Sequence, residues 1–484
     1  MDTIIESNEK MEVLIRLVSK MDYPTVQRVK AFIEGLDAAK VVANAKAQNE
    51  DKSEWHMMDK ILNSFEEDRN MSLKDAIEVA NREALSRMTN AQIHWVDVKK
   101  AIDCPGMKEN MIMHAGPPIS WEEMGSTQRK GVIGAIQYEG WAKSPEEAER
   151  MVENGEVELS PCHEHSAVGS MAGITSPSMP VLVVQNETYG NYAYCHFYEG
   201  PAPRKLSYGC YDEQVYSNLK WAECVLAPVL KQLIDAMGSL DVKRIISKAL
   251  FMGDDVHSRS MASTAMFILE ISPHLAALDL PREDLVDILD FLRRSEQFFL
   301  HFTMAGSKAT ADAAEGIKYS TVLTKIARNG VEAGIQVSGL PGQWFTGPAS
   351  NITGLFFSDY TQKDAQPDMG DSAITETTGL GCCAHAASPA LGLTKGNVDM
   401  ALYYTMEMQK ICVGNNPNFA IPALNGRGSP MGIDMRKVLS SRIVPIINTA
   451  IAHKEGGQIG VGNAKVPMEA FKKALVAFNE EYAE

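Results

Sequence analysis

The 484-residue sequence has no CxxC pair among its eight cysteines, and their spacing forms no regular framework. In a chain of this size that reads as reduced thiols rather than a disulfide scaffold. No Lys/Arg stripe of the kind nucleic-acid readers carry is present, and a net charge of −16 disfavours a polyanion as the main partner. A small anion is still permitted, because backbone N–H groups and one or two arginines suffice locally. No run approaches the ~18 consecutive apolar residues of a membrane helix. The opening Met1–Ser7 lacks the basic and apolar regions of a signal peptide, so a cytoplasmic protein is expected, without nucleic-acid or membrane partners. HExxH and GxxxxGK[ST] are both missing, and no GxGxxG sits between a strand and a helix. No metal or nucleotide cofactor is therefore expected.

What is present is ordinary globular composition, 45% hydrophobic and 22% charged, in a length that suggests roughly two to four domains. The 26 methionines and the Cys382–Cys383 pair read as core filler. Leu14, Leu17, Val18 and Met21 mark one helical face, and Val26, Val29, Ile33 and Leu36 a second. Residues 43–53 read as a linker, and Ser72–Asp75 as a capping box opening another helix. From about residue 90 strands and turns take over. Ser144-Pro-Glu-Glu147 predicts a helix start with Ser as N-cap and Pro at the first position. Residues 156–159 and 180–185 read as strands, the latter turning at Gly190-Asn191 into a hairpin partner over 192–197. Residues 213–318 read as mostly helical, Asn329-Gly330 as a hairpin turn, 443–452 as a buried strand, and the Phe471–Phe478 face as a closing helix. The expected class is α+β: an N-terminal helical extension over 1–88, mixed α/β domains over 89–212 and 319–484, and a helical domain over 213–318 between them.

Six loops join reactive side chains to Gly or Pro, as loops that present function on a rigid scaffold do. In His114-Ala-Gly-Pro-Pro118 a stiff turn holds His114. In Pro161-Cys-His-Glu-His165 an extended chain would put His163 and His165 on one face. A zinc site would need further ligands, so His163 is expected as an acid–base group. Thr175 and Ser176 beyond it offer donors to an anion. Gly253–Arg259 reads as a helix cap at Asp254 or Asp255, with His257 and Arg259 near the first turn. Arg259 has the planar fork that suits a carboxylate or phosphate. Arg328 and Asn329 flank a turn, where Arg328 is a further anion clamp. Asp368, Asp371 and Glu376 fall within ten residues, and Asp371 is a candidate to take a proton. His453 leads into the Gly-rich stretch holding Gly457 and Gly460, which is like a phosphate cradle in kind but lacks the spacing of a nucleotide loop.

Taken in order, His114-Ala-Gly-Pro-Pro, Glu139-Gly-Trp-Ala142, Pro161-Cys-His163, Ala167-Val-Gly169, Gly173-Ile-Thr-Ser176, Met252-Gly-Asp254, Asn329-Gly330, Pro367–Thr377, Gly432-Ile-Asp434 and Asn448–Glu455 resemble the YlbE-like family over residues 90 to 480. The resemblance implies an α+β fold and a place beside the AllG-like proteins, one component of a multi-subunit oxamate carbamoyltransferase in allantoin breakdown. It implies an FdrA-like subunit and a third, smaller subunit as partners, in a homo-oligomer or hetero-complex. The reaction implied is phosphorolysis of a ureido substrate such as oxalurate, giving oxamate and carbamoyl phosphate. Competing expectations are a stand-alone metal-dependent amidohydrolase built on His163 and His165, and a non-catalytic scaffold subunit.

Overall fold

The computed structural model describes residues 52–67, 73–393 and 397–482. The two helical stripes at 14–36, most of the 43–53 linker and the cap residue Ser72 lie outside them. The chain divides into two compact units, Met1–Lys60 and Ile61–Glu484. The first contributes the beginning of helix α1 (Lys52–Glu67). The second is α+β, with five sheets among the described residues. No helix among them is long and apolar enough to cross a membrane.

The second unit opens with α2 (Leu73–Asn90), which turns Ile77, Ala80, Ala84 and Met88 inward. Its buried Asn81 donates to Thr321 Oγ1 at 2.8 Å and Asp434 Oδ2 at 3.2 Å. Residues 73–88 are thus tied into the fold of this unit by a buried polar link. Strand β1 (Ile93–Lys100) belongs to the largest sheet, whose order is β4-β6-β5-β1-β7. β5 (Pro180–Asn186) and β6 (Tyr192–His196) are the expected hairpin. β4 (Ala167–Val168) adds to β6 in parallel, and β7 (Leu240–Asp241) closes the other edge. β2 (Met111–His114) and β3 (Glu158–Pro161) pair in parallel. The helices between them are α3 (Ser126–Tyr138) and α4 (Pro145–Glu153). Ser144 caps α4 as its sequence predicts, accepting from Glu147 N at 3.2 Å, and the turn ends at Asn154 with Gly155 left-handed.

The helical stretch comprises α5 (Glu213–Trp221), α6 (Ala227–Met237), α7 (Val242–Phe251), α8 (Met261–Leu275), α9 (Arg282–Arg294) and α10 (Leu300–Asp312). It shares one core with the first sheet: Trp95 of β1 meets Phe302 of α10 edge-on at 5.2 Å, and Phe299 stacks on Phe302 at 5.4 Å. α10 is buried from His301 to Ala311, and a helix enclosed on every side is a rigid mount for the polar residues it carries, His301 and Lys308 among them.

Two further sheets complete the frame. One has the order β10-β9-β8-β12, with the Asn329-Gly330 turn between β8 (Leu323–Asn329) and β9 (Glu332–Val337), then β10 (Leu340–Pro348) and β12 (Met369–Gly370). The other has the order β11-β16-β15: β11 (Thr353–Phe356), β15 (Ile446–Ala452) and β16 (Gln458–Lys465). The predicted strand at 443–452 therefore starts at Ile446. The Gly-rich stretch expected as a loop is a central strand. Its glycines serve close approach instead, since a Cβ on Gly462 would lie 2.5 Å from Thr353 O. The closing helix, α14 below, runs Met468–Tyr482 and buries Phe471, Ala474, Leu475 and Phe478. Between the sheets lie α11 (Ile374–Thr377), α12 (Asp399–Ile411), the β13 (Cys412–Ala420)–β14 (Gly428–Ile433) pair and α13 (Met435–Ser441).

Candidate active site

The largest sheet, the start of α10, the loop before α8 and the β15–β16 hairpin converge on a cavity of about 180 Å³. That size suits a small polar molecule. Two groups of side chains line it.

The first group is built on His257. Its Nδ1 lies 3.0 Å from Glu376 Oε1, and Glu376 is fully buried. A carboxylate oxygen only accepts, so the hydrogen of this bond sits on Nδ1. Thr375 Oγ1 donates to Glu376 Oε2 at 3.0 Å and helps fix the carboxylate. Gly381 is required here: its φ is +58°, and a Cβ would overlap Glu376 Oε1 and stand 2.8 Å from His257 Nδ1. Val256, beside His257, holds a left-handed φ of +54°, costly for a β-branched residue and the kind of strain that gathers at functional sites. Asp255 supports the turn, accepting from His257 N at 3.2 Å and Arg259 N at 2.9 Å, while its Oδ2 accepts from Asn448 Nδ2 at 2.5 Å. Burial pushes Asp255 up to about 6. Asn448 lines the cavity, with Nδ2 3.0 Å from His385 Nδ1 and Oδ1 accepting from Asn463 Nδ2 at 2.8 Å.

The second group comes from β6, the loop after it and α10. His196 Nε2 accepts from Ser170 N at 3.1 Å, so Nδ1 carries the proton and donates to Phe197 O at 3.0 Å. His301 Nδ1 donates to His196 O at 2.7 Å, which leaves its Nε2 as a bare acceptor. Burial holds both imidazoles below the usual range, His301 well below it. Lys205 lines the same wall. It is buried, and burial lowers its amine to about 8 against an opposing pull from Glu199.

Of the residues singled out by sequence, His257 alone lines this cavity. His163, His114, Asp371, Arg328 and Asn329 come together elsewhere, in a buried polar knot. Asp371 accepts from Gly116 N at 2.8 Å and Gly169 N at 2.9 Å, and burial pushes it up to about 7. His163 Nε2 is 3.7 Å from Asp371 Oδ1, with the ring edge-on to Trp344. His114 Nδ1 bonds Ala115 O at 2.9 Å, and burial lowers it to about 4. Residues 162–165 form a 3-10 turn, not the extended chain expected. His163 and His165 therefore do not share a face, and His165 turns to Pro105 O and Ser160 Oγ. Arg328 is buried and its fork is committed: Nε to Asp368 Oδ2 at 2.7 Å, Nη2 to Oδ1 at 3.1 Å, and Nη1 to Gly370 O. It is a structural ion pair rather than an open clamp. Asn329 Nδ2 donates to Pro117 O at 3.2 Å. Gly116, φ +93°, lets these loops touch, since a Cβ there would lie 2.5 Å from Asn329 Cβ.

The others scatter. Asp254 does cap α8, but from outside it, accepting from Ser263 N at 2.7 Å. His257 and Arg259 accordingly precede the helix instead of sitting in its first turn. Arg259 is part-exposed, 3.7 Å from Asp254, in a pocket that shares Ser258, Gln297 and Leu391 with the cavity wall. Thr175 and Ser176 back onto β2, with Thr175 N donating to Met113 O. His453 and Gly457 close the β15–β16 turn on each other, and Gly457 N donates to Tyr208 O. Gly460 sits between Ile451 and Phe356 in the sheet. His196, Lys205 and His301 were missed because each stands on an ordinary strand, loop or helix with no motif around it.

The sequence model of the AllG family, described as oxamate carbamoyltransferase subunit AllG, matches residues 157–372. Over 414 residues the chain is 40% identical to the oxamate carbamoyltransferase subunit AllG of Escherichia coli (strain K12), covering 84% of this chain and 98% of that protein. The chain belongs to the AllG family. The uncharacterized protein YahG of the same organism is similar too, at 43% identity over 414 residues, covering 85% of this chain and 88% of that one. A solved structure, a conserved protein of unknown function from Enterococcus faecalis V583, matches with a TM-score of 0.83 and 43% identity, over 84% of this chain and 99% of that one. The AllG-family match holds His196, Lys205, His257 and His301, whereas Glu376, His385 and Asn448 lie beyond it.

Proposed function

We propose that this AllG-family chain is a subunit of a carbamoyltransferase complex that splits a ureido substrate such as oxalurate with phosphate, giving oxamate and carbamoyl phosphate. The observation that carries the reading is the Glu376-oriented His257 on the wall of a small cavity. An imidazole held at Nδ1 by a carboxylate, with Nε2 turned to the cavity side of the pair, is suited to take a proton and then return it.

A phosphate oxygen attacks the terminal ureido carbon and a C–O bond forms. His257 Nε2 takes the proton of the hydrogen phosphate. The tetrahedral centre collapses, the C–N bond to the inner nitrogen breaks, and the proton passes from His257 to that nitrogen. Oxalurate and hydrogen phosphate thereby become oxamate and carbamoyl phosphate with no other reagent. We assign the incoming phosphate to Arg259, a reading supported by its position in the adjoining pocket. The partners proposed are an FdrA-like subunit and a third small one.

The test is co-expression with those subunits and an assay of carbamoyl phosphate from oxalurate, coupled to ATP formation by a carbamate kinase. Phosphate-dependent product is expected. An assembled complex that forms none would end the reading for this substrate.

A further inference from the structure

Lys205 is a buried cation without a counter-ion. It lines the cavity and is nine-tenths buried, yet forms no ion pair among the described residues. Its amine donates to Tyr198 OH at 3.2 Å and stands 4.2 Å and 5.7 Å from the ring centroids of Tyr198 and Tyr208. Glu199, whose field reaches the amine, is otherwise engaged: its carboxylate accepts from Leu206 N at 2.6 Å and Ser207 N at 2.9 Å. Burying an unpaired charge is strongly unfavourable, so the arrangement makes sense where a ligand brings the missing negative charge.

The surroundings narrow the ligand. Lys205 brings one positive charge to this end of the cavity, and the field of Glu199 opposes any further negative charge, which suits a singly charged anion and disfavours a dianion such as phosphate. The tyrosine rings flanking the amine favour a flat group. His301 packs against the same Tyr198 ring at 5.6 Å, and its bare Nε2 asks for an N–H donor. A carboxylate next to an amide N–H answers both.

We propose that Lys205 anchors the carboxylate of a planar carboxyl-amide monoanion, with His301 Nε2 accepting from the adjacent amide. This deepens the proposed function: it assigns the oxamate half of the substrate to the Lys205 wall and leaves the carbamoyl half toward His257. Lys205 is then the residue that selects the leaving group.

Titration calorimetry of the full-length chain with sodium oxamate, and separately with inorganic phosphate, tests it. The wild type is expected to bind oxamate, and phosphate is expected not to displace it. Lys205→Met should weaken oxamate binding at least 30-fold, and Lys205→Arg should retain binding within about tenfold of wild type, the charge-assisted bond being preserved. No oxamate binding by the wild type, equal binding by Lys205→Met, or phosphate displacing oxamate at Lys205 would each overturn the assignment. The two proposals fail separately. A complex that phosphorolyses oxalurate equally well with Lys205→Met refutes the anchor and spares the reaction. Lys205-dependent oxamate binding by a chain whose complex makes no carbamoyl phosphate refutes the reaction and spares the anchor.

Discussion

Replacing Lys205 by methionine should make the protein more stable, not less. Burial draws the amine from 10.5 down to about 8. At ~1.4 kcal/mol per unit, that shift corresponds to a cost of roughly 3 kcal/mol for keeping a charged amine in the folded site. Below pH 8 folded and unfolded chains both hold the proton, and the whole cost is felt. Between pH 8 and 10.5 the unfolded chain binds more protons than the folded one, so wild-type stability rises with pH through that window. Above it the amine is neutral in both states and the cost is gone. Methionine fills a similar volume without charge and gives up one hydrogen bond to Tyr198, about 1 kcal/mol. The variant should therefore be about 2 kcal/mol more stable at pH 7, with a gain that falls as pH rises and turns into a loss of about 1 kcal/mol above pH 10.5. Urea-unfolding midpoints of both proteins at pH 7, 8, 9 and 10 read this directly. A variant less stable at pH 7, or a difference that does not change with pH, would refute the claim that Lys205 is an uncompensated buried cation.

Other outcomes follow from the same geometry. Arg328→Ala strands Asp368 in the interior and should cost about 3–5 kcal/mol; an Arg328→Ala protein of normal stability that binds anions poorly would instead restore the clamp expected from sequence. Gly381→Ala forces a Cβ into Glu376 and strains a left-handed residue, so the assembled complex should lose most of its activity, and full activity would contradict the dyad geometry. Glu376→Gln removes the charge that holds the His257 tautomer and should lower kcat by about 10²–10⁴ with substrate binding little changed; an effect confined to KM would speak against it.

The elements set by local rules were legible from sequence. Ser144-Pro145 starts a helix, Asn329-Gly330 turns a hairpin, and Phe471–Phe478 faces the core, because each depends on neighbours a few residues away. The site was legible at His257, whose Gly-Asp-Asp setting marks a rigid turn, and at Glu376, one of three carboxylates within ten residues. Arg328 looked open because the carboxylate that closes on it, Asp368, is 40 residues further along the chain. Gly460 and Gly462 looked like a loop because nothing nearby shows that β11 will press against them. Lys205 carries its meaning in what it lacks, a counter-ion, and that is a property of tertiary packing alone. The His163–Asp371 contact joins two predicted residues, yet in a knot that binds loops together behind the cavity.

The central claim is that His257, held by Glu376, moves the proton when the ureido C–N bond breaks. Its direct test is the kcat of His257→Gln in the assembled complex, measured as carbamoyl phosphate formed from oxalurate at saturating phosphate. The account predicts a fall of about 10²–10⁴ with normal assembly. A variant complex that turns over at the wild-type rate would contradict it.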